Sequence, residues 1–491
     1  MNLKIVLGLL AASFGQVVCD AQDCVMLKGS IVPDGTRLER RNGVYRGKVT
    51  LDKVAKGSYA DRVVFFDADH DGQPDIKPIR LNNGVYDVTY DVDSKEYKIE
   101  APIDENRISV FGSSVSNGVG AAGLKGYAYM YDQELQRRAA SGESGTPFRI
   151  SSVAINGNNT MSLLGRFDDL VHDFGRYVIF GLSLGNEGIH EAKDKEKVFL
   201  QFNDNMKLLI NKARGEGKIP VVMNNYTRGD FTAEDYECVK RLNLLIHEWD
   251  VPSVNTLGAI DDGTGRWANG YEADPYHPTA EGHEQFMKAM DPTLFDAIKS
   301  GKPLPERVSD GETCLGGNKA LAFDVKGVNP FAVCLRFHGG KAGDILHFNE
   351  ENIPGDYKVS VGTDGHVSLT TPDGGKIQGF TYVCDKRPHT ITLSHYYAQG
   401  WLYLYVDNVL QGYLPAKLSP KSFKVVDASG KRAFMELAFW RSALNDFEVN
   451  NWNSGHLLRS SMEIYTPLNN IGADGKIPNM AQSMNESLRI E

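Results

Sequence analysis

Arg107-Ile108-Ser109-Val110-Phe111-Gly112-Ser113-Ser114-Val115-Ser116-Asn117-Gly118 is the stretch on which the fold turns. Its first five residues form an apolar run of buried-strand length, and after the Gly/Ser turn Tyr127 to Gln136 reads as a helix. A strand that breaks at Gly-x-Ser and enters a helix puts a hydroxyl at the carboxyl edge of a sheet, where open α/β sheets bind ligands. Ser114 is therefore the candidate nucleophile. Taken alone the stretch would be an ordinary Ser/Gly turn, so its meaning depends on its surroundings.

Outward from Ser114, short apolar strands alternate with helices. Phe148 to Ala154 reads as a strand, residues 161–173 as a helix, and Tyr177-Val178-Ile179-Phe180 as a strand entering Gly181-Leu182-Ser183-Leu184-Gly185-Asn186-Glu187-Gly188. Val198, Phe199, Phe202, Met206, Leu209 and Ile210 share one helical face. The strand Ile219-Pro220-Val221-Val222-Met223 follows, and a helix is predicted over 233–248. Such alternation means a parallel sheet with both faces covered. The last piece is Asp274-Pro275-Tyr276-His277-Pro278-Thr279-Ala280-Glu281-Gly282-His283, where Pro278 suits the first position of a closing helix.

This frame offers a nucleophile, a base, a group to orient the base and donors for a developing oxyanion. Ser114 is the nucleophile and His277 the base, with Asp274 three residues earlier to hold the imidazole. The backbone N–H of Ser114, that of Gly157 and the side-chain amide of Asn186 are the candidate oxyanion donors. Each candidate falls just after a strand or at the last helix, so one sheet edge can collect them all.

On these residues the middle of the chain resembles the SGNH, or GDSL, hydrolase family. Gly112 to Gly118 matches the first block, with Ser113 where the family usually has Asp. Gly157 matches the second block, Gly185-Asn186-Glu187 the Gly-Asn-Asp of the third, and Asp274-Pro275-Tyr276-His277 the Asp-x-x-His block. The resemblance implies a flavodoxin-like three-layer α/β fold and serine acyl-enzyme chemistry with no cofactor or metal for catalysis. Ser113 and Glu187 depart from it at positions that are not catalytic. A rival nucleophile is Ser183, because Gly181-Leu182-Ser183-Leu184-Gly185 matches the Gly-x-Ser-x-Gly elbow of α/β-hydrolases. That fold does not place its acid three residues before its histidine, and no His-Gly-Gly motif is present. Ser114 accounts for four blocks in order, Ser183 for one.

Other signals in this region are weaker. Asp274, His277 and His283 lack HExxH-type metal spacing, and His283 is expected to be packed or solvated. Arg228-Gly229-Asp230 matches the adhesion tripeptide by letters only, in a loop that leaves a strand on the same edge. Trp267 is either a sugar-stacking platform or a packed loop aromatic.

The flanks have another character. Residues 25–104 carry strand-sized runs, among them Gly43 to Leu51, Arg62 to Phe66, Val85 to Tyr90 and Tyr97 to Glu100, without helical period. They read as a small β-sandwich; the terminal hairpin resembles those of small glycan-binding modules on bacterial outer surfaces. Within it, Asp67-Ala68-Asp69-His70-Asp71-Gly72-Gln73-Pro74-Asp75 has oxygen ligands at alternate positions and then a glycine, as a calcium loop requires. Asp67, Asp69, Asp71 and Asp75 are the candidate ligands of a structural calcium, although Pro78 stands where the usual Glu would be. The bland reading is an acidic turn. After Gly301-Lys302-Pro303-Leu304-Pro305, strand follows strand from 312 to 465. This second β-sandwich resembles the laminin-G or concanavalin-like jelly rolls appended to secreted enzymes, on Leu402-Tyr403-Leu404-Tyr405-Val406-Asp407-Asn408 and Trp440-Arg441-Ser442-Ala443-Leu444.

The expected organisation is thus a signal peptide (1–21), a small all-β domain (22–104), the hydrolase domain (105–303), a β-sandwich (304–471) and a loose tail (472–491). The charged Met1-Asn2-Leu3-Lys4, the apolar Ile5 to Phe14 and the small-residue end at Ala21 support export; a lipoprotein reading with Cys19 acylated is weaker. No apolar segment is long enough for a transmembrane span. A net charge of −10 over 491 residues argues against nucleic acid as a partner. Six cysteines contain no CxxC pair, and one bridge among Cys314, Cys334 and Cys384 is expected. The sequence therefore reads as an exported serine esterase, with O-acetyl groups on a glycan as first choice of substrate and a lipid or long-chain acyl ester as second. The alternative of another class is a non-catalytic glycan-binding or adhesion protein. Oligomeric state has no signature here.

Overall fold

The computed structural model describes residues 24–51, 59–308, 311–315, 319–469 and 476–491; the expected signal peptide and Cys19 lie outside these. The chain divides into two compact units, Met1–Pro102 and Ile103–Glu491.

In the first unit, strands β1 (Cys24–Gly29), β2 (Val32–Arg41), β3 (Val44–Leu51), β4 (Val63–Asp67), β5 (Ile79–Arg80), β6 (Gly84–Tyr90) and β7 (Tyr97–Glu100) form one antiparallel sheet in the order β5-β4-β1-β2-β3-β6-β7. The expected sandwich of two sheets is therefore one continuous sheet. It curls upon itself: Phe66 on β4 stacks on Tyr90 on β6 at 4.2 Å, although four strand steps of roughly 4.8 Å separate them along the sheet. Leu27, Leu38, Val49, Val64 and Val88 fill the inside.

The second unit opens on β8 (Asp104–Gly112), followed by α1 (Tyr127–Ala140), β9 (Arg149–Ser152), α2 (Thr160–Gly165), α3 (Phe167–His172) and β10 (Gly175–Gly181). Then come α4 (Lys195–Gly215), β11 (Ile219–Met223), α5 (Ala233–Glu248), β12 (Ser253–Val254), α6 (Leu257–Ile260), β13 (Glu272–Asp274), β14 (His277–Pro278), α7 (Ala280–Lys288) and α8 (Leu294–Lys299). The five longer-range strands pair in parallel in the order β9-β8-β10-β11-β12. This is the doubly wound 2-1-3-4-5 order, whose ligand crevice opens at the carboxyl ends beside the first and third strands. Side chains alternate across the sheet: Val110, Tyr177, Ile179 and Val221 pack under Tyr127, Tyr131, Phe286 and Phe295. The helix expected over 161–173 is two short helices broken at Arg166 (φ −126°, ψ 30°). Its guanidinium turns back to donate to the Val153 carbonyl at 2.8 Å and to lie over the Phe111 ring at 4.5 Å, beneath the strand that ends at the Ser114 turn.

Beyond residue 311 two antiparallel sheets face each other. One has seven strands, running from Lys376–Tyr382 at one edge to Arg489–Ile490 at the other; the second has six, from Val409–Pro415 to Met462–Thr466. Phe323, Phe423, Phe331 and Phe439 interlock between them. Two expectations are corrected here. The tail after 472 is not loose where it is described: Arg489–Ile490 adds a strand to Ala320–Asp324, and Ala481 and Leu488 are buried. Cys314, Cys334 and Cys384 are all free, whereas Cys24 is disulfide-bonded. Cys334 lies in the core against Thr392, and burial pushes its thiol up to about 12.

The sandwich and the α/β layers form one unit because a polar seam joins them. The helix α9 (Asp446–Asn453) begins with a capping box in which Glu448 Oε2 accepts from the Asn445 amide at 2.8 Å. The other oxygen of Glu448 accepts from Asn243 Nδ2 (2.7 Å), Asn255 Nδ2 (2.6 Å) and His247 Nε2 (2.8 Å). Ser460 N donates to His247 Nδ1 at 3.0 Å, which fixes that ring as a neutral tautomer with its proton toward Glu448.

Candidate active site

The end of β8 delivers Ser114 to the carboxyl edge of the sheet, 9% exposed. Its turn is tied down locally: the Asn117 and Val119 amides donate back to the Ser114 carbonyl at 3.1 and 3.0 Å. The β13–β14 hairpin brings His277 over it. Gly120 (φ +99°) permits this approach, since a Cβ there would collide with the Pro278 carbonyl oxygen.

Three side chains meet. Ser114 Oγ lies 2.9 Å from His277 Nε2, and His277 Nδ1 lies 2.8 and 3.0 Å from the two Asp274 oxygens. An ionised carboxylate only accepts, so Nδ1 carries the ring proton and Nε2 accepts from the serine hydroxyl. Burial works to raise the Asp274 carboxyl, but hydrogen bonds from His277 and from the Tyr276 amide outweigh it and hold the group below its ordinary range. The carboxylate is thus available to orient the imidazole and to steady it when it takes a proton.

The expected oxyanion donors surround the same edge. Among the described residues no protein acceptor takes the backbone N–H of Ser114 or of Gly157. Asn117 Nδ2 donates to Asn156 Oδ1 at 3.1 Å and fastens the Gly157 loop to the serine turn. Asn186 donates one amide proton to the Asn158 carbonyl at 2.9 Å, leaving the second to point elsewhere.

Residues 110–285 match the model of the GDSL-like Lipase/Acylhydrolase family. This middle portion is a GDSL-like hydrolase domain. The protein is accordingly a carboxylic ester hydrolase. No curated protein matched the sequence. Among solved structures, the chain is similar to a catalytic mutant of an acetylxylan esterase from Geobacillus stearothermophilus (17% identity, covering 38% of this chain and 91% of that one, TM-score 0.32). It is also similar to a lipase from a goat rumen metagenome (14%, 37% and 94%, TM-score 0.31) and to a pentraxin from Limulus polyphemus (15%, 37% and 90%, TM-score 0.27).

The departures of this hydrolase domain from the family blocks have physical explanations. Ser113, in place of Asp, is buried and lies beside the Tyr226 phenol, as Ser183 does. Ser183, the rival nucleophile, is 3% exposed and set against that tyrosine, while the imidazole goes to Ser114. Glu187 accepts from the Thr160 amide and pins the Asn186 loop to the start of α2; burial raises its carboxyl. His283 is packed, as one of its two expected alternatives had it. The Tyr127 amide donates to its Nδ1 and its Nε2 donates to the Val119 carbonyl, behind the serine turn. Burial lowers it to about 4.

Trp267 takes the packed one of its two expected readings. Trp267 is 4% exposed and stacks on Tyr226 at 5.8 Å, so it is core and offers no platform. The exposed ring at the site is Tyr276, 52% accessible, inside the Asp-x-x-His block itself. The Arg228 guanidinium lies 4.5 Å over that ring and is forked onto Asp230 at 2.6 and 3.0 Å. The Gly229 amide donates to the Pro275 carbonyl at 2.9 Å. A Cβ at 229 would press on Glu272 Oε2 (2.9 Å) and Pro275 Cα (3.1 Å), so this glycine allows the loop to clamp the catalytic hairpin. The adhesion-like tripeptide is therefore a brace, with Arg228 only 7% exposed. An Asp-x-Tyr-His spacing and a basic loop at a strand's carboxyl end were the available signals.

Proposed function

We propose that this ester hydrolase works through Ser114, His277 and Asp274, and that it is an exported enzyme removing O-acetyl groups from a carbohydrate. The carrying observation is the single imidazole that bridges Ser114 and Asp274, at 2.9 and 2.8 Å. Ser114 Oγ attacks the ester carbonyl while its proton passes to His277 Nε2, and Asp274 stabilises the imidazolium that results. Negative charge on the carbonyl oxygen is received by the Ser114 and Gly157 amides and the second Asn186 proton. His277 then protonates the leaving alkoxide. Water, deprotonated by the same ring, releases the acid from Ser114.

The carbohydrate assignment draws on the half-exposed Tyr276 face beside His277, stiffened from behind by Arg228, since a flat ring stacks on a sugar at little entropic cost. The attached sandwich, read as a laminin-G or concanavalin-like jelly roll, is consistent with a polymeric substrate. Ser114→Ala should abolish turnover of an aryl acetate, and undiminished turnover would overturn the mechanism. Acetate release from acetylated xylan, pectin or sialoglycan, set beside an acyl-chain-length series, tests the substrate. Preference for long acyl chains with no acetate release would transfer the assignment to lipid esters.

A further inference from the structure

We propose that the acidic turn after β4 binds one calcium ion through Asp67, Asp69 and Asp71, a structural site separate from the ester chemistry. One ligand-type oxygen from each of these residues lies within 4.8 Å of the others. That is the span of two oxygens on opposite sides of an ion held at about 2.4 Å, a calcium–oxygen distance. Acidic clusters on exposed turns commonly hold nothing, and Asp69 and Asp71 are indeed exposed. Asp67 is different. It is fully buried at the end of β4, and its two oxygens have unequal fates. Oδ2 accepts from Lys28 Nζ at 2.6 Å and from the Gly72 amide at 3.2 Å. Among the described residues Oδ1 is buried without a hydrogen-bond partner. A buried carboxylate oxygen with no donor is costly, and a cation held between it and the two exposed aspartates supplies the missing partner.

The ligand chemistry selects the ion. Every donor in the cluster is a carboxylate oxygen, which suits a hard divalent cation, whereas zinc favours nitrogen and sulfur. His70, between Asp69 and Asp71, faces away to the Cys24 carbonyl at 3.2 Å. The turn is open and mostly exposed, so it can complete the seven or so oxygens calcium accepts with water and main-chain carbonyls, where magnesium demands a tighter octahedron. Asp75, expected as a fourth ligand, instead accepts from the Ala68 amide at 2.8 Å through Oδ2 and closes the loop. The Asp75 amide donates to the Phe66 carbonyl at 2.9 Å, so the ion would lock the exit of β4 beneath the Phe66–Tyr90 stack.

The test is calorimetric titration of the full-length protein, stripped with chelator, with calcium chloride and separately with magnesium chloride. One saturable calcium site is expected, with a dissociation constant on the order of 10⁻⁴ M, typical of extracellular modules, and magnesium at least tenfold weaker. Asp71→Asn and Asp69→Asn, both at exposed positions, should each weaken calcium binding at least tenfold. They should leave the near-ultraviolet circular dichroism of the Phe66–Tyr90 region and aryl-acetate hydrolysis unchanged. Absence of a saturable site, equal affinity for the two ions, or unchanged affinity in both folded variants would overturn the proposal.

Discussion

His277 is the residue through which the site's parts communicate, and its two ring nitrogens make separable predictions. Asp274→Asn keeps the size of the orienting group but lets the amide donate, favouring the wrong imidazole tautomer. A loss of kcat on the order of 10³–10⁴-fold is expected in aryl-acetate assays, with KM little changed. Asn186→Ala removes one of the proposed oxyanion donors and should lower kcat by roughly 10²–10³-fold. Tyr276→Ala should leave aryl-acetate turnover near the starting value but raise KM on an acetylated oligosaccharide, which separates a sugar-facing ring from a structural one. That Ser114, His277 and Asp274 would meet at one sheet edge was legible because four short blocks follow one another in order along the chain. Tyr276 was not legible as an exposed ring, and Trp267 read both as a platform and as a packed aromatic, because accessibility depends on the loops packed against each. Arg228 covers one face of the first, and Tyr226 and Phe286 bury the second.

Among the elements, α9 carries more than its length suggests. Its capping box is visible in the sequence as Asn445 followed three residues later by Glu448, but nothing there shows that one Glu448 oxygen gathers three donors from the hydrolase layers. Glu448→Ala would leave the Asn243, Asn255 and His247 donors buried without an acceptor. A destabilisation of about 3 kcal/mol or more is expected, read as a lower Tm and denaturant midpoint for the whole second unit rather than for the sandwich alone. Strands show in the sequence where apolar residues alternate, as in His389–Tyr396. The pattern alone does not give the place of Val409–Pro415, where Gly412 and Pro415 interrupt the alternation and Pro415 closes the strand by pairing with Trp401. The helix broken at Arg166 escaped for a related reason: the periodicity of 161–173 is helical, and only the pull of the Arg166 side chain toward the Val153 carbonyl explains the break.

At the scale of the whole molecule, the hydrolase layers and the sandwich are one compact unit rather than two modules on a linker. Lys302, beside the expected domain boundary, donates to the Ser483 carbonyl at 2.6 Å, and Gln482 donates back to the Lys302 carbonyl at 3.0 Å. A shift from helical to strand periodicity marks where the layers change, but it does not reveal how far they are welded together. One consequence is acid sensitivity. His283 behind the serine turn and His395 in the sandwich are both fully buried, and burial lowers each to about 4. Their ordinary value is near 6.5, so between about pH 6.5 and 4 the unfolded chain binds more protons and stability falls as pH falls. Each contributes up to about 3 kcal/mol across that window. Tm should therefore decline from pH 7 to pH 4.5, and His395→Gln should flatten the decline, whatever its effect at pH 7.

The central claim, that Ser114 rather than Ser183 attacks the ester, is tested most directly by covalent trapping. The protein is treated with a fluorophosphonate and the modified residue is mapped by peptide mass spectrometry. One phosphonyl group on Ser114, absent when His277 is replaced by Ala, is the predicted result. Modification at Ser183, or no modification of an enzyme that still hydrolyses aryl acetate, would contradict it.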